Sequence, residues 1–262
     1  MEPGISVERR EGYRIVTLNR PERMNALDRS SVLALIAALG DAEADEGCRA
    51  LLLTGAGRGF CAGADLAAGG GEGISRDAGE TIEQTWNPLA RKLHSLRMPT
   101  VCAVNGVAAG AGANVALGCD IVLAARSARF IQVFSRIGLI PDAGGTFHLP
   151  RLVGEARARA LAMLAEPLPA EKAEAWGMIW RAVDDAELMH EAEKLCAQLA
   201  TAPTQALVLT RQAIRASAAN SFDAQLDLER DTQRVAAYTP DYAEGVAAFR
   251  EKRAPNFTGR AS

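Results

Sequence analysis

The sequence predicts an α/β protein, and three observations carry that reading. Over the first 150 residues, short apolar runs of strand character alternate with stretches of helical periodicity. Two of those runs, 50–54 and 101–104, are followed within a few residues by stretches rich in Gly and Ala. Beyond about 155 the strand signal fades, apart from 179–183, and four helical stretches follow. A boundary near 200 therefore separates a core, 1–200, from a helical region, 201–262.

Taken in order, residues 5–9 and 13–18 form a hairpin, and Asp28 is placed to cap an amphipathic helix running to about Asp45. A buried strand at 50–54 leads into Gly55-Ala56-Gly57-Arg58-Gly59. The segment 67–80, AAGGGEGISRDAGE, is a mobile loop by composition, and 81–97 is one helix stopped by Met98-Pro99. A second buried strand at 100–104 ends at Asn105-Gly106, a helix follows at 111–118, and strands follow near 121–125 and 129–132. The last helices are 187–200, 204–219, 222–237 and 241–250. Leu226, Val235 and Val246 fall on them at spacings that mean core or interface packing.

Composition narrows the function. A chain of 262 residues, 48% hydrophobic and 23% charged, buries one sizeable core. Its net charge of −3 argues against nucleic acid as the main partner. The charged start, MEPGISVERREG, is unlike a signal peptide, and no apolar run approaches the roughly 20 residues that cross a bilayer. Cys48, Cys61, Cys102, Cys119 and Cys196 form no C-x-x-C pair and are odd in number, which places the chain in the cytoplasm. His94, His148 and His190 lie far apart in sequence, so no metal site is expected.

The chemistry concentrates between 101 and 150, where the acids are Asp120 and Asp142 alone. Small residues at 109–113 let a ligand approach the backbone, and the free N–H groups of a helix start favour negative charge there. Close helix packing is the other use of such residues. Val115 stands where a G-x-G-x-x-G dinucleotide motif needs its third glycine, and 55–59 lacks the Gly-Lys end of a P-loop. Asp142, in Pro141-Asp142-Ala143-Gly144-Gly145, either caps the helix that follows or acts as base or nucleophile.

Strand-GxGxxFCAGADL, then AVNGVAAGAG, then GLIPDAGGT resemble in order the motifs of the crotonase, or enoyl-CoA hydratase/isomerase, superfamily. The likeness runs from GYRIVTLNRPERMNAL (12–27) to AFREKRAPNFTG (248–259). It implies a superhelix of ββα turns with a C-terminal helical trimerisation region. It also implies an acyl-CoA thioester as substrate and partner, with no separate cofactor. Backbone N–H groups of Ala64 and Ala111 would then form an oxyanion hole for the thioester oxygen. Arg23, Asn25, Ala26, Ala62, Asp65, Leu66, Gly110, Asn114 and Phe134 would line the substrate. Phe249 and Lys252 would reach CoA from a neighbouring subunit of a homotrimer or dimer of trimers.

Two departures define the branch. Hydratases of this family place glutamates where this chain has Asn114 and Phe134, so ordinary hydration is not expected. Asp142 matches a position where other members carry a catalytic aspartate. VAAGAGANVALGCDIVLAARSARF, FSRIGLIPDAGGT, EAWGMIW and QLDLERDTQR resemble most the ring-1,2-epoxyphenylacetyl-CoA isomerases of aerobic phenylacetate degradation. The resemblance implies isomerisation of that epoxide to an oxepin, with Asp142 as acid/base; Phe60, Phe134 and Trp86 are candidate walls for the aromatic ring. A Δ3-Δ2-enoyl-CoA isomerase, or a non-catalytic acyl-CoA-binding protein, is the alternative.

Overall fold

The computed structural model describes residues 4–67 and 77–260; most of the segment read as a mobile loop lies outside them. β1 (Ile5–Arg10) and β2 (Tyr13–Leu18) form the expected antiparallel hairpin. α1 (Arg29–Ala44) follows, and Asp28 caps it by accepting a 2.8 Å hydrogen bond from the Ser31 N–H. β3 (Ala50–Gly55) and β4 (Gly59–Cys61) come next, then α2 (Ala78–Gln84) and α3 (Trp86–Ser95).

The single helix expected over 81–97 is therefore broken in two. The Thr85 hydroxyl takes the Thr81 carbonyl at 2.6 Å, and Thr85 leaves helical geometry at φ −135°, ψ −76°. Pro88, which has no N–H to give, then falls in the first turn of α3, where none is needed.

The turns repeat: β5 (Thr100–Val104), β6 (Val107–Ala109) and α4 (Ala111–Leu117), then β7 (Ile121–Ala125) and β8 (Arg129–Ile131). α5 (Gly145–Val153), α6 (Glu155–Leu164), β9 (Leu168–Pro169), α7 (Ala170–Ala175) and β10 (Arg181–Val183) lead to α8 (Leu188–Ala200). α9 (Thr204–Ser217), α10 (Phe222–Ala237) and α11 (Pro240–Glu251) complete the chain.

The first strand of each turn enters a sheet ordered β1-β2-β3-β5-β7-β10, and the second enters a smaller sheet ordered β4-β6-β8-β9. β3, β5 and β7 are parallel neighbours in one; β4, β6 and β8 are parallel neighbours in the other. The result is the superhelix of ββα turns. Leu51, Leu52 and Leu53 on β3 and every residue of β5 are buried, as near-continuous apolar runs in a covered parallel sheet should be. The five cysteines are buried free thiols. Among the described residues no helix is long and apolar enough to cross a membrane, and no group of three or more His, Cys, Asp or Glu could hold a metal ion.

Candidate active site

The smaller sheet brings the two Gly/Ala loops together, because β4 and β6 are paired and each ends in one of them. Leu27 makes a parallel bridge to Ala64: its N–H donates to the Gly63 carbonyl (2.8 Å) and its carbonyl accepts from the Asp65 N–H (2.9 Å). In that ladder pattern the N–H of Ala64 itself points the other way. It donates to no acceptor among the described residues.

The second amide belongs to Ala111, the first residue of α4, whose N–H has no intrahelical acceptor and no other acceptor among the described residues. Gly110 reaches it through φ +54°, ψ −130°, a conformation that only glycine holds without strain. Gly63, at φ +89°, sits so close that a Cβ there would lie 2.9 Å from the Ala109 carbonyl oxygen and 3.4 Å from the Ala111 nitrogen. The two unpaired amides thus flank one tight loop-to-loop contact. An alanine donates there as well as any residue, since the donor is main chain.

Asp142 is held beside α4. Its carbonyl accepts from the Gly145 N–H (2.8 Å) and from Asn114 Nδ2 (2.9 Å), across a turn whose central residues, Ala143 and Gly144, both have positive φ (+47° and +84°). The N-cap of α5 is Gly144. The Asp142 Oδ1 is buried without a partner among the described residues. Burial pushes the carboxyl from its ordinary value of 3.8 up to about 6, with its own amide opposing in part.

Other residues expected at the site are held by contacts within the protein. Asn114 is wholly buried, its Oδ1 accepting from Gln132 Nε2 at 2.8 Å while its Nδ2 holds Asp142. Asn25 spends its side chain inside the protein, accepting from the Arg20 N–H (2.8 Å) and donating to the carbonyls of Ala56 (2.9 Å) and Gly59 (2.8 Å). Asp65 is ion-paired to Arg20 at 3.0 Å, and Arg20 also donates to the Ala26 carbonyl at 2.7 Å. The N–H groups of Ala26 and Ala62 are taken by the carbonyls of Arg23 and Met24, both at 3.0 Å.

Arg23 and Leu66 are exposed. Phe134 is buried beneath the second loop, its ring edge 3.8 Å from where a Gly110 Cβ would stand. Phe60 and Trp86 are buried in the core, so neither offers a free ring face. Phe249 is 87% exposed and lines a C-terminal cavity of ≈ 500 Å³ with Pro203, Tyr242 and Phe257; that cavity shares no residue with the Ala64, Ala111 and Asp142 set. Lys252 ends α11 in the left-handed region, φ +54°.

Arg20 and Gln132 were not legible as site residues. Their partners lie 45 and 18 residues away, where no local pattern points. The only trace was a polar side chain in the otherwise apolar run around 130–134.

The chain belongs to the enoyl-CoA hydratase/isomerase family, whose model matches residues 8–260. Within that family it is 53% identical over 252 residues to the 1,2-epoxyphenylacetyl-CoA isomerase of Escherichia coli K12, covering 95% of this chain and 96% of that one. It is 46% identical to a Rhodobacter capsulatus protein named "Probable enoyl-CoA hydratase", covering 98% of both. The enoyl-CoA hydratase structure from Bacillus anthracis superposes with a TM-score of 0.90 at 30% identity, over 98% of this chain and 100% of that one.

Proposed function

We propose that this chain isomerises ring-1,2-epoxyphenylacetyl-CoA to the seven-membered oxepin thioester, in aerobic phenylacetate degradation. One observation carries the reading: Asp142, beside α4, presents a carboxylate with no ion-pair partner among the described residues, while Asn114 and Phe134 occupy the two hydratase glutamate positions. The relative's name, at 53% identity, agrees with it.

In this mechanism the thioester oxygen lies against the Ala64 and Ala111 amides. The ionised Asp142 takes a proton from the carbon beside the thioester, the electron pair moves onto the oxygen, and the amides hold the enolate. Collapse of the enolate forms a double bond from that carbon to the ring, the C–C bond shared by the epoxide and the six-membered ring breaks so that the oxygen joins a seven-membered ring, and the displaced electron pair takes the proton back from the carboxyl at a ring carbon. Atoms and charge balance without a cofactor, coenzyme A being part of the substrate. Double-bond shifts in unsaturated acyl-CoAs use the same proton route and are a second reading.

Exposed Phe222, Tyr238 and Phe249 on the C-terminal helices support a homotrimer or dimer of trimers, and the five free thiols fit a cytoplasmic enzyme.

The test is incubation of purified protein with the epoxide of phenylacetyl-CoA and, separately, with a 3-enoyl-CoA. The epoxide should convert to an isomer of unchanged mass. If only the 3-enoyl-CoA reacts, the chain is a double-bond isomerase; if both bind and neither reacts, it is an acyl-CoA-binding protein.

A further inference from the structure

The geometry points to Asn114 and Gln132 as a positioning pair that sets the Asp142 carboxylate, an inference that rests on the reading of Asp142 above. The argument is one of hydrogen-bond polarity. The Asp142 carbonyl only accepts, so Asn114 must turn its Nδ2 toward it, at 2.9 Å. The Asn114 Oδ1 then faces Gln132, which must answer with Nε2, at 2.8 Å. That choice leaves Gln132 Oε1 as an acceptor with no partner among the described residues, although Gln132 is only 3% exposed.

Flipping Asn114 would set oxygen against oxygen at Asp142 and NH₂ against NH₂ at Gln132, and flipping Gln132 would set its Oε1 against the Asn114 Oδ1, so each link fixes the next. The orphaned Oε1 is the cost of this direction, since apolar side chains would fill the same space without it. What the pair holds needs holding. Ala143 sits at φ +47°, a conformation that alanine resists, so the turn carrying Asp142 does not keep its shape unaided. Gly145 completes the clamp: a Cβ there would meet Asn114 Cγ at 2.6 Å, so the amide lies flat against the first residue of α5.

The pair touches the backbone of Asp142 and acts through it. The experiment uses Gln132→Met, which keeps length and loses the amide, and Asn114→Ala, each in the wild-type and Asp142→Asn backgrounds. Both should lower kcat by roughly 10- to 100-fold, the scale of a misplaced catalytic group, with KM for the thioester unchanged. Gln132→Met should melt close to wild type, because it exchanges one unpaired buried acceptor for another; a merely structural role would lower stability together with kcat.

The Gln132→Met effect should vanish in Asn114→Ala, and both effects should vanish in Asp142→Asn. Normal kcat in Gln132→Met and Asn114→Ala, or losses that persist undiminished in Asp142→Asn, overturns the pair while leaving Asp142 in place. Near-normal turnover in Asp142→Asn itself removes the base and the pair together. If Asn114→Ala does not fold, Gln132→Met decides alone through its kcat and melting temperature.

Discussion

Replacing Asp142 by Asn should make the protein more stable and almost inactive, and the size of the first effect follows from the site. The carboxyl titrates near 6 when folded against 3.8 ordinarily, because burial penalises its charged form. The folded state therefore holds the proton more tightly than the unfolded chain. The penalty is absent below pH 3.8, grows as pH rises, and is complete above about 6. At pH 8 it amounts to about 3 kcal/mol. Asn has no charge to bury, so Asp142→Asn should melt about 6 °C higher at pH 8, at roughly 2 °C per kcal/mol for a chain of this size. The gain should shrink to nothing by pH 4. The assay is thermal unfolding at both pH values and one fixed protein concentration, beside turnover of the epoxide, which should fall at least roughly 10²-fold. In the wild type, kcat/KM should rise with pH through about 6 as the base ionises. A variant that melts below wild type at pH 8, or whose difference from wild type is the same at both pH values, refutes the desolvated carboxylate.

Ala111→Pro deletes one proposed oxyanion donor at little structural cost, since Ala111 is the first residue of α4, where proline is accepted. Turnover should fall roughly 10²- to 10³-fold with the helical circular dichroism intact, and a folded, fully active variant removes Ala111 from the oxyanion hole. Crotonyl-CoA should be hydrated poorly or not at all, because Asn114 and Phe134 cannot hold a water between two carboxylates; rapid loss of its enoyl absorbance contradicts that. Sizing by light scattering should give a multiple of three subunits, and a fully active monomer denies Phe249 and Lys252 a role in a neighbour's site.

How far the sequence could be read depends on how local each cause was. β3, β5 and β7 are stretches of buried residues between turn formers, and the Asp28 cap reaches only three residues ahead, so apolar runs and spacing disclose them. Thr85 breaks a helix that periodicity makes continuous, its hydroxyl donating to the Thr81 carbonyl and Pro88 falling in the first turn of α3. α6 was missed because EARARALAML buries only Ala158 and Leu161 and carries a weak stripe. Leu226 and Val235 show the opposite limit: helical spacing marks them for burial, yet within one chain both are exposed, and spacing cannot say whether core or partner would cover them. At the site, Ala64, Ala111 and Asp142 stand in recognisable motifs, whereas Arg20 and Gln132 act only through contacts that the fold creates.

The neutral residue at 114 has a consequence for Asp142 beyond its hydrogen bond. A glutamate in that wholly buried place would set a second carboxylate against the Asp142 turn, and two close acids titrate as a pair, one driven far above its ordinary value. In the hydratase arrangement the water lies between acids at 114 and 134, and a charge at 114 would in addition disturb Asp142. A single acid that must take a carbon-bound proton and return it is better served alone, with a pKa close to the working pH. Asn114 supplies the same short polar reach without the charge, and Phe134 fills the other glutamate position with a buried ring. On the proposed function, neutral residues at 114 and 134 and a lone Asp142 make one electrostatic arrangement, suited to moving a proton rather than to adding water.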